Sequence, residues 1–282
     1  MTEAGTAQSE TIRRVVDETQ RYYDGPADEI YRRLWQDNVH MGTWTGPDDT
    51  LQTAMDRTNH IMAEQAGIQP GVEVLDAGCG YGATAIFLAR EYGCRVTGQN
   101  ISERELELAR QRADEAGVGD RVRFEYGDFH AMPSPDDSVD VVWSQEAFLH
   151  GADKLQVLRE CHRVLRPGGR LVISDLLVSR DVTGEDREKI YERVRSPEMW
   201  DFADYREGLA QAGFRIDVEA DWSANVAPTY AAVLEQLQAQ KEALAERVPR
   251  EQLESTIGAL QLWVDSARAG KISQGLFVAV PA

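Results

Sequence analysis

Lysine is almost missing from this chain. Lys154, Lys189, Lys241 and Lys271 are the only ones in 282 residues, against 48 acidic side chains and a formal net charge of −18. So acidic a surface argues against a nucleic-acid partner, whose phosphates demand a basic patch. It suits a salt-adapted protein or an ordinary acidic cytoplasmic enzyme equally, and says nothing of fold. Cysteine is scarce too: Cys79, Cys94 and Cys161 are odd in number and fall in expected core or turn positions. That pattern predicts no disulfide framework and a reducing, cytoplasmic setting. No Cys/His cluster has metal-ligand spacing, so no metal site is expected. No apolar run approaches bilayer-spanning length, and residues 1–10 are polar rather than signal-like, so no membrane association is expected. Internal repeats and low-complexity linkers are absent as well.

What is present is an alternation. From Gly71 onward, strand-like and helix-like patterns follow each other, as in an α/β fold with a parallel sheet. Strands are predicted at 72–76, 95–98, 122–126, 139–143, 170–175, 214–220 and 275–280. Helices are predicted at 83–91, 102–116, 153–165 and 200–213. Ser102 and Glu105 form a capping-box pattern at the second of these, and Pro167-Gly168-Gly169 stops the third. Residues 228–247 and 250–269 read as two helices, too long for a hairpin loop, which predicts a cap. The expected organisation is a helical lid over 1–69, a core over 70–222, a helical cap insertion over 223–270 and a final core strand over 271–282.

The densest chemical signal is Val74-Leu75-Asp76-Ala77-Gly78-Cys79-Gly80-Tyr81-Gly82, an apolar strand running into a glycine turn with an acid at the strand end. Glycines allow the tight turn and the close approach of a ligand. A dinucleotide-binding turn would need G-x-G-x-x-G at a helix entry, which is absent. Ligands of open α/β sheets bind at the carboxyl ends of strands. Asp76, Asn100, Asp128, Gln145 and Asp175 all fall at such ends.

These segments, with Leu165-Arg166-Pro167-Gly168-Gly169, resemble the class I S-adenosylmethionine (SAM) methyltransferases between Gly71 and Asp175. The resemblance implies a Rossmann-like seven-stranded sheet with helices on both faces and SAM as cofactor. It implies that Asp76, Gly78 and Gly80 hold the amino acid end and that Asn100 and Ile101 meet the ribose and adenine. Asp128 and Phe129 would read the adenine, and Gln145 would face the methyl group. Asn100 departs from the family, which has an acid there; an amide binds a hydroxyl without charge assistance.

The lid pattern Tyr22-Tyr23-Asp24, Tyr31-Arg32-Arg33-Leu34-Trp35 and His40-Met41-Gly42 looks like that of sarcosine/dimethylglycine N-methyltransferases. So do Trp143-Ser144-Gln145 with Phe148-Leu149-His150, Pro228-Thr229-Tyr230, and the ending Gly275-Leu276-Phe277. This implies that Tyr23 contacts the cofactor and that Tyr22, Trp35, His40, Trp44 and Tyr230 surround the acceptor. Glu146, where that family has Asp, and Gln274, near its usual aromatic, are departures. The implied reaction is N-methylation of sarcosine or dimethylglycine to glycine betaine by a monomer or homodimer.

The same lid also resembles sugar O-methyltransferases and alkene C-methyltransferases, so the acceptor stays open. A tertiary amine has no proton to lose beyond its ammonium form. A hydroxyl needs a base, and His150 backed by Asp175 resembles the dyad of the O-methylating group. An alkene gives a carbocation, from which Glu146 would remove a proton. The lid aromatics would hold a methylammonium by cation–π contact, or simply form the packed underside of the cap. A non-catalytic SAM-binding protein would not need Gln145, Glu146 and His150 together.

Overall fold

The computed structural model describes residues 3–23 (side chains from 9 to 22), 35 and 39–282. The expectations for Tyr31, Arg32, Arg33, Leu34 and the Tyr23 side chain lie outside the described residues.

Seven strands form one sheet: β1 (Glu73–Ala77), β2 (Arg95–Asn100), β3 (Val122–Tyr126), β4 (Val139–Gln145), β5 (Leu165–Val178), β6 (Phe214–Asp221) and β7 (Ile272–Pro281). Their order is β3-β2-β1-β4-β5-β7-β6. Pairs from β3 through β5 are parallel, while β7 runs antiparallel to both neighbours. The order reverses between β1 and β4, which makes a switch point where a ligand crevice opens.

Helix α1 (Glu3–Tyr23) and α2 (Leu51–Ala66) precede the sheet, and α3 (Ala83–Tyr92) and α4 (Glu103–Glu115) follow β1 and β2. Next come α5 (Lys154–Val164), α6 (Gly184–Val194), α7 (Phe202–Gln211), α8 (Val226–Leu244) and α9 (Arg250–Arg268). One sheet face carries Val74, Val96, Phe124 and Trp143 against α2, α3 and α4. The other carries Leu75, Val142, Leu171 and Ile173 against α5 and α7. A third cluster joins the end of β5 to α6, α8 and α9 around Trp35, Tyr230 and Trp263. This alternation is the period-two pattern of a sheet buried on both sides.

Two local outcomes differ from expectation. The Pro167-Gly168-Gly169 turn belongs to β5: Val139 pairs with Leu165 and Val141 with Arg170, so the intervening residues bulge outward. A Cβ on Gly169 would lie 2.9 Å from the carbonyl oxygens of Arg166 and Asp140, which only glycine tolerates. Helix α6 has no counterpart in the sequence reading. Only Ile190 of its residues is buried, so it carries almost no apolar stripe to read.

Candidate functional site

A cavity opens at the switch point, lined from β1 by Asp76, from the glycine turn by residues 78–81, and from β2 by Gln99 and Asn100. Asp128, Phe129, Gln145, Glu146 and His150 also reach it, as do Trp35, His40 and Tyr230 of the lid and cap. The structure thus brings together most of the expected site residues. Asp175, Trp44 and Tyr22 do not line it.

Asp76 is buried at the end of β1, and its Oδ2 meets no hydrogen-bond partner among the described residues. Burial raises its carboxyl to about 7. A buried carboxylate oxygen without a donor is costly until a cation or N–H reaches it. The turn beside it is built by glycine: Gly78, Gly80 and Gly82 sit at φ +90, +48 and +77. The Gly78 and Cys79 amides both donate to the Gln99 carbonyl, at 2.9 and 3.0 Å, closing the turn against β2. A Cβ on Gly78 would lie 2.4 Å from Ala147 Cβ, whereas one on Gly80 would enter open space.

Asn100 is not alone at the end of β2. Its Nδ2 donates to Glu105 Oε2 at 2.6 Å, and its Oδ1 accepts the Ile101 amide at 2.9 Å. Glu105 is buried and lines the cavity, so a carboxylate stands at this rim after all, delivered one helical turn later. The sequence reading used Glu105 only as a capping residue. Ser102 Oγ does accept the Glu105 amide at 3.1 Å, and that cap is what aims the first turn of α4 at the strand ends.

Asp128 Oδ1 accepts from the His130 amide at 2.9 Å and from His130 Nδ1 at 2.6 Å. His130 Nε2 in turn accepts the Ala152 and Asp153 amides at 3.1 and 3.3 Å, so its proton sits on Nδ1. Phe129 packs edge-on against Phe148, with ring centroids 5.5 Å apart.

Three expected roles change. Gln145 accepts from Trp143 Nε1 and Thr84 Oγ1, each at 2.9 Å, and donates to Asn59 Oδ1 at 2.9 Å. Both ends of its amide are engaged, so it builds the wall that ties β4 to α2 and α3. Asp175 does not back His150. It accepts the Tyr205 hydroxyl at 2.5 Å and the Leu176 amide at 3.0 Å, behind the cavity wall. Burial raises its carboxyl to about 6, against the Tyr205 hydrogen bond and the charge of Lys154. The expected aromatic enclosure shrinks to Trp35 and Tyr230, edge to face with centroids 6.0 Å apart. Trp44 Nε1 is fixed on Thr229 at 2.8 Å, and the Tyr22 ring lies under the Arg195 guanidinium.

Glu146 lines the cavity in a left-handed backbone conformation, φ +46. Its carboxylate accepts the Met41 amide at 3.0 Å, Ser174 Oγ at 2.7 Å and Gln274 Nε2 at 3.1 Å. Burial raises it to about 7. His40 and His150 are both buried in the wall, and burial lowers each to about 4, so both are neutral at pH 7. Arg193, from α6, is the one arginine or lysine among the described lining residues. Sequence reasoning missed it because α6 itself was not legible. Among the described residues no group of three metal-ligating side chains forms, and no helix is long and apolar enough to cross a membrane.

Sheet order and crevice define an α/β protein that takes a nucleoside-type ligand at its switch point. The methyltransferase domain family matches residues 75–173. The chain is 34% identical over 255 residues to 27-O-demethylrifamycin SV methyltransferase of Amycolatopsis mediterranei, covering 89% of this chain and 93% of the relative. It is 32% identical to sarcosine/dimethylglycine N-methyltransferase of Halorhodospira halochloris, covering 94% and 96%. It is also 32% identical to the longer glycine/sarcosine/dimethylglycine N-methyltransferase of Actinopolyspora halophila, spanning 90% of this chain but 46% of that one. A crystal structure from Galdieria sulphuraria, described as a candidate sarcosine dimethylglycine methyltransferase, superposes with TM-score 0.85 at 28% identity, covering 92% of this chain and 99% of that one. The chain belongs to the SAM-dependent methyltransferases.

Proposed function

We propose that this enzyme N-methylates sarcosine or dimethylglycine, yielding glycine betaine. The observation that carries this reading is Arg193, the single guanidinium among the described lining residues, whose other formal charges are Asp76, Glu105, Asp128 and Glu146. An acceptor with one carboxylate and one amine suits that arrangement: the guanidinium takes the carboxylate, and Trp35 and Tyr230 offer faces to a methylated ammonium. Two neutral histidines beside them add no positive charge to repel the amine.

The same residues fit the cofactor. The partnerless Asp76 oxygen would accept the SAM ammonium, and Gly80 leaves room for its backbone. The Asn100–Glu105 pair would take the ribose hydroxyls, while Asp128 and the Phe129 amide would read the adenine edge. Bound SAM supplies a methyl group on a positively charged sulfur, open to in-line displacement. The chain's own task is then to hold the acceptor nitrogen in line and keep water out.

A second reading is favoured by the apolar part of the wall, Val16, Val39, Leu149, Leu176 and Val194. A larger apolar acceptor methylated on a hydroxyl would use that surface, and the rifamycin-modifying relative supports it. Radiolabelled SAM with sarcosine, dimethylglycine and a panel of macrocyclic alcohols decides between them. Label in glycine betaine carries the first reading; label only in an ether overturns it.

A further inference from the structure

Three histidines line the cavity, His40, His130 and His150. Both ring nitrogens of His130 are taken up by Asp128 and the Ala152 and Asp153 amides, and the surroundings of the other two are not alike. His40 Nδ1 lies 2.9 Å from the Met41 carbonyl oxygen. A carbonyl only accepts, so Nδ1 carries the proton and Nε2 keeps a bare lone pair. That Nε2 is buried and has no hydrogen-bond partner among the described residues. A buried acceptor left in this way is destabilising until a ligand donates to it. The residue holding His40 is itself held, because the Met41 amide donates to Glu146 Oε2 at 3.0 Å. Met41 therefore carries both contacts, its N–H on the Glu146 carboxylate and its carbonyl oxygen against the His40 ring.

We propose that His40 is the proton acceptor of the methyl transfer, its Nε2 taking the N–H or O–H hydrogen of the acceptor. The assignment rests on the reading of the cavity as a methyl-transfer site and adds its base. An amine arriving as ammonium gives its proton to Nε2, and the freed nitrogen lone pair bonds the methyl carbon. The carbon–sulfur bond breaks with its electron pair going to sulfur, and the imidazolium later returns the proton to water. With a hydroxyl acceptor, the proton moves to Nε2 as the oxygen–carbon bond forms. The sulfonium charge vanishes in that step, so a positive ring replaces one positive charge with another.

His150 is the less suited of the pair. Burial disfavours charge on both rings, but the second effect differs in sign. Beside His150 the Lys154 ammonium, 3.1 Å from the Gly151 carbonyl oxygen, opposes a second positive charge and outweighs the Arg195 carbonyl that favours it. Beside His40 stand the Met41 carbonyl and the Asp56 carboxylate, both of which favour it.

The test uses the full chain with His40→Gln and His40→Ala, and the acceptor found in the labelling screen. The expected result is a kcat lower by roughly 10²–10⁴-fold with SAM affinity changed less than about threefold. Variants that keep kcat within about threefold of wild type overturn the assignment. Nitrogen-15 NMR of histidine-labelled wild type gives a second readout that needs no turnover and no stable variant. A His40 ring with protonated Nδ1 and bare Nε2 at pH 7 supports the proposal; an Nε2–H tautomer or a charged ring overturns it. Label only in an ether sinks the proposed N-methylation, while the His40 tautomer and the effect of His40→Gln on that ether formation still decide this assignment separately.

Discussion

The Glu146 carboxylate accepts the Met41 backbone N–H at 3.0 Å across 105 residues of sequence, and this bond ties the lid segment to the end of β4. Its other oxygen holds Ser174 of β5 and Gln274 of β7. Replacing Glu146 by Ala strands three donors in a buried site. We expect a loss of about 2–4 kcal/mol in urea unfolding, and faster amide exchange at Met41 than in wild type. Unchanged exchange at Met41 would show that the lid is docked by other contacts.

Asp76 and Glu146 make the apo protein less stable as pH rises. Burial raises both carboxyls from their ordinary values of 3.8 and 4.5 to about 7. Between about pH 4 and 7 the folded chain therefore keeps protons that the unfolded chain has released, and the unfolding free energy falls with increasing pH. The effect levels off above pH 7. In the proposed binding mode the SAM ammonium would reverse the preference at Asp76 by favouring the carboxylate. Calorimetry should show SAM binding tighten as pH rises toward 7, with proton release, and Asp76→Asn should abolish that pH dependence.

Asn100 and Glu105 should exchange roles only together. Asn100→Asp places a second carboxylate where Nδ2 now donates to Glu105 at 2.6 Å, so like charges meet. We expect SAM affinity to fall by roughly tenfold in that single variant, about 1.4 kcal/mol. Adding Glu105→Gln should restore most of it. Tighter binding by Asn100→Asp alone would mean that the pair does not face the cofactor as a unit.

Gly78 and Gly80 should fail differently. Gly78→Ala forces a Cβ to 2.4 Å from Ala147 Cβ at φ +90, and we expect roughly 1–3 kcal/mol of lost stability from the overpacking. Gly80→Ala meets no protein atom within 4 Å, so its stability cost should be limited to about 1–2 kcal/mol of left-handed strain. It should nonetheless weaken SAM binding, because its new methyl group stands in the cavity. Thermal melts with and without SAM separate the two.

The strand ends were legible because local rules fix them: an apolar run, a glycine turn and a polar residue at the carboxyl end. Glu105 was half legible, its cap readable but its partner Asn100 hidden by the fold's approach of strand end to helix start. Asp175 was misread because its place at a strand end says nothing of which neighbour its oxygens meet. Tyr205, 30 residues on, reaches it first. Arg193 was invisible, since α6 shows too little apolar periodicity to announce itself.

By itself the sequence determined the α/β alternation, the glycine turn and the order of polar strand ends, all consequences of contacts within a few residues. Tertiary structure decided which polar groups are left without partners. Asp76 and His40 each keep an oxygen or nitrogen bare, while Gln145 and Asp175, equally polar and equally well placed in the sequence, are consumed by neighbours. That division depends on burial and on side chains brought from distant segments, and no local pattern encodes either.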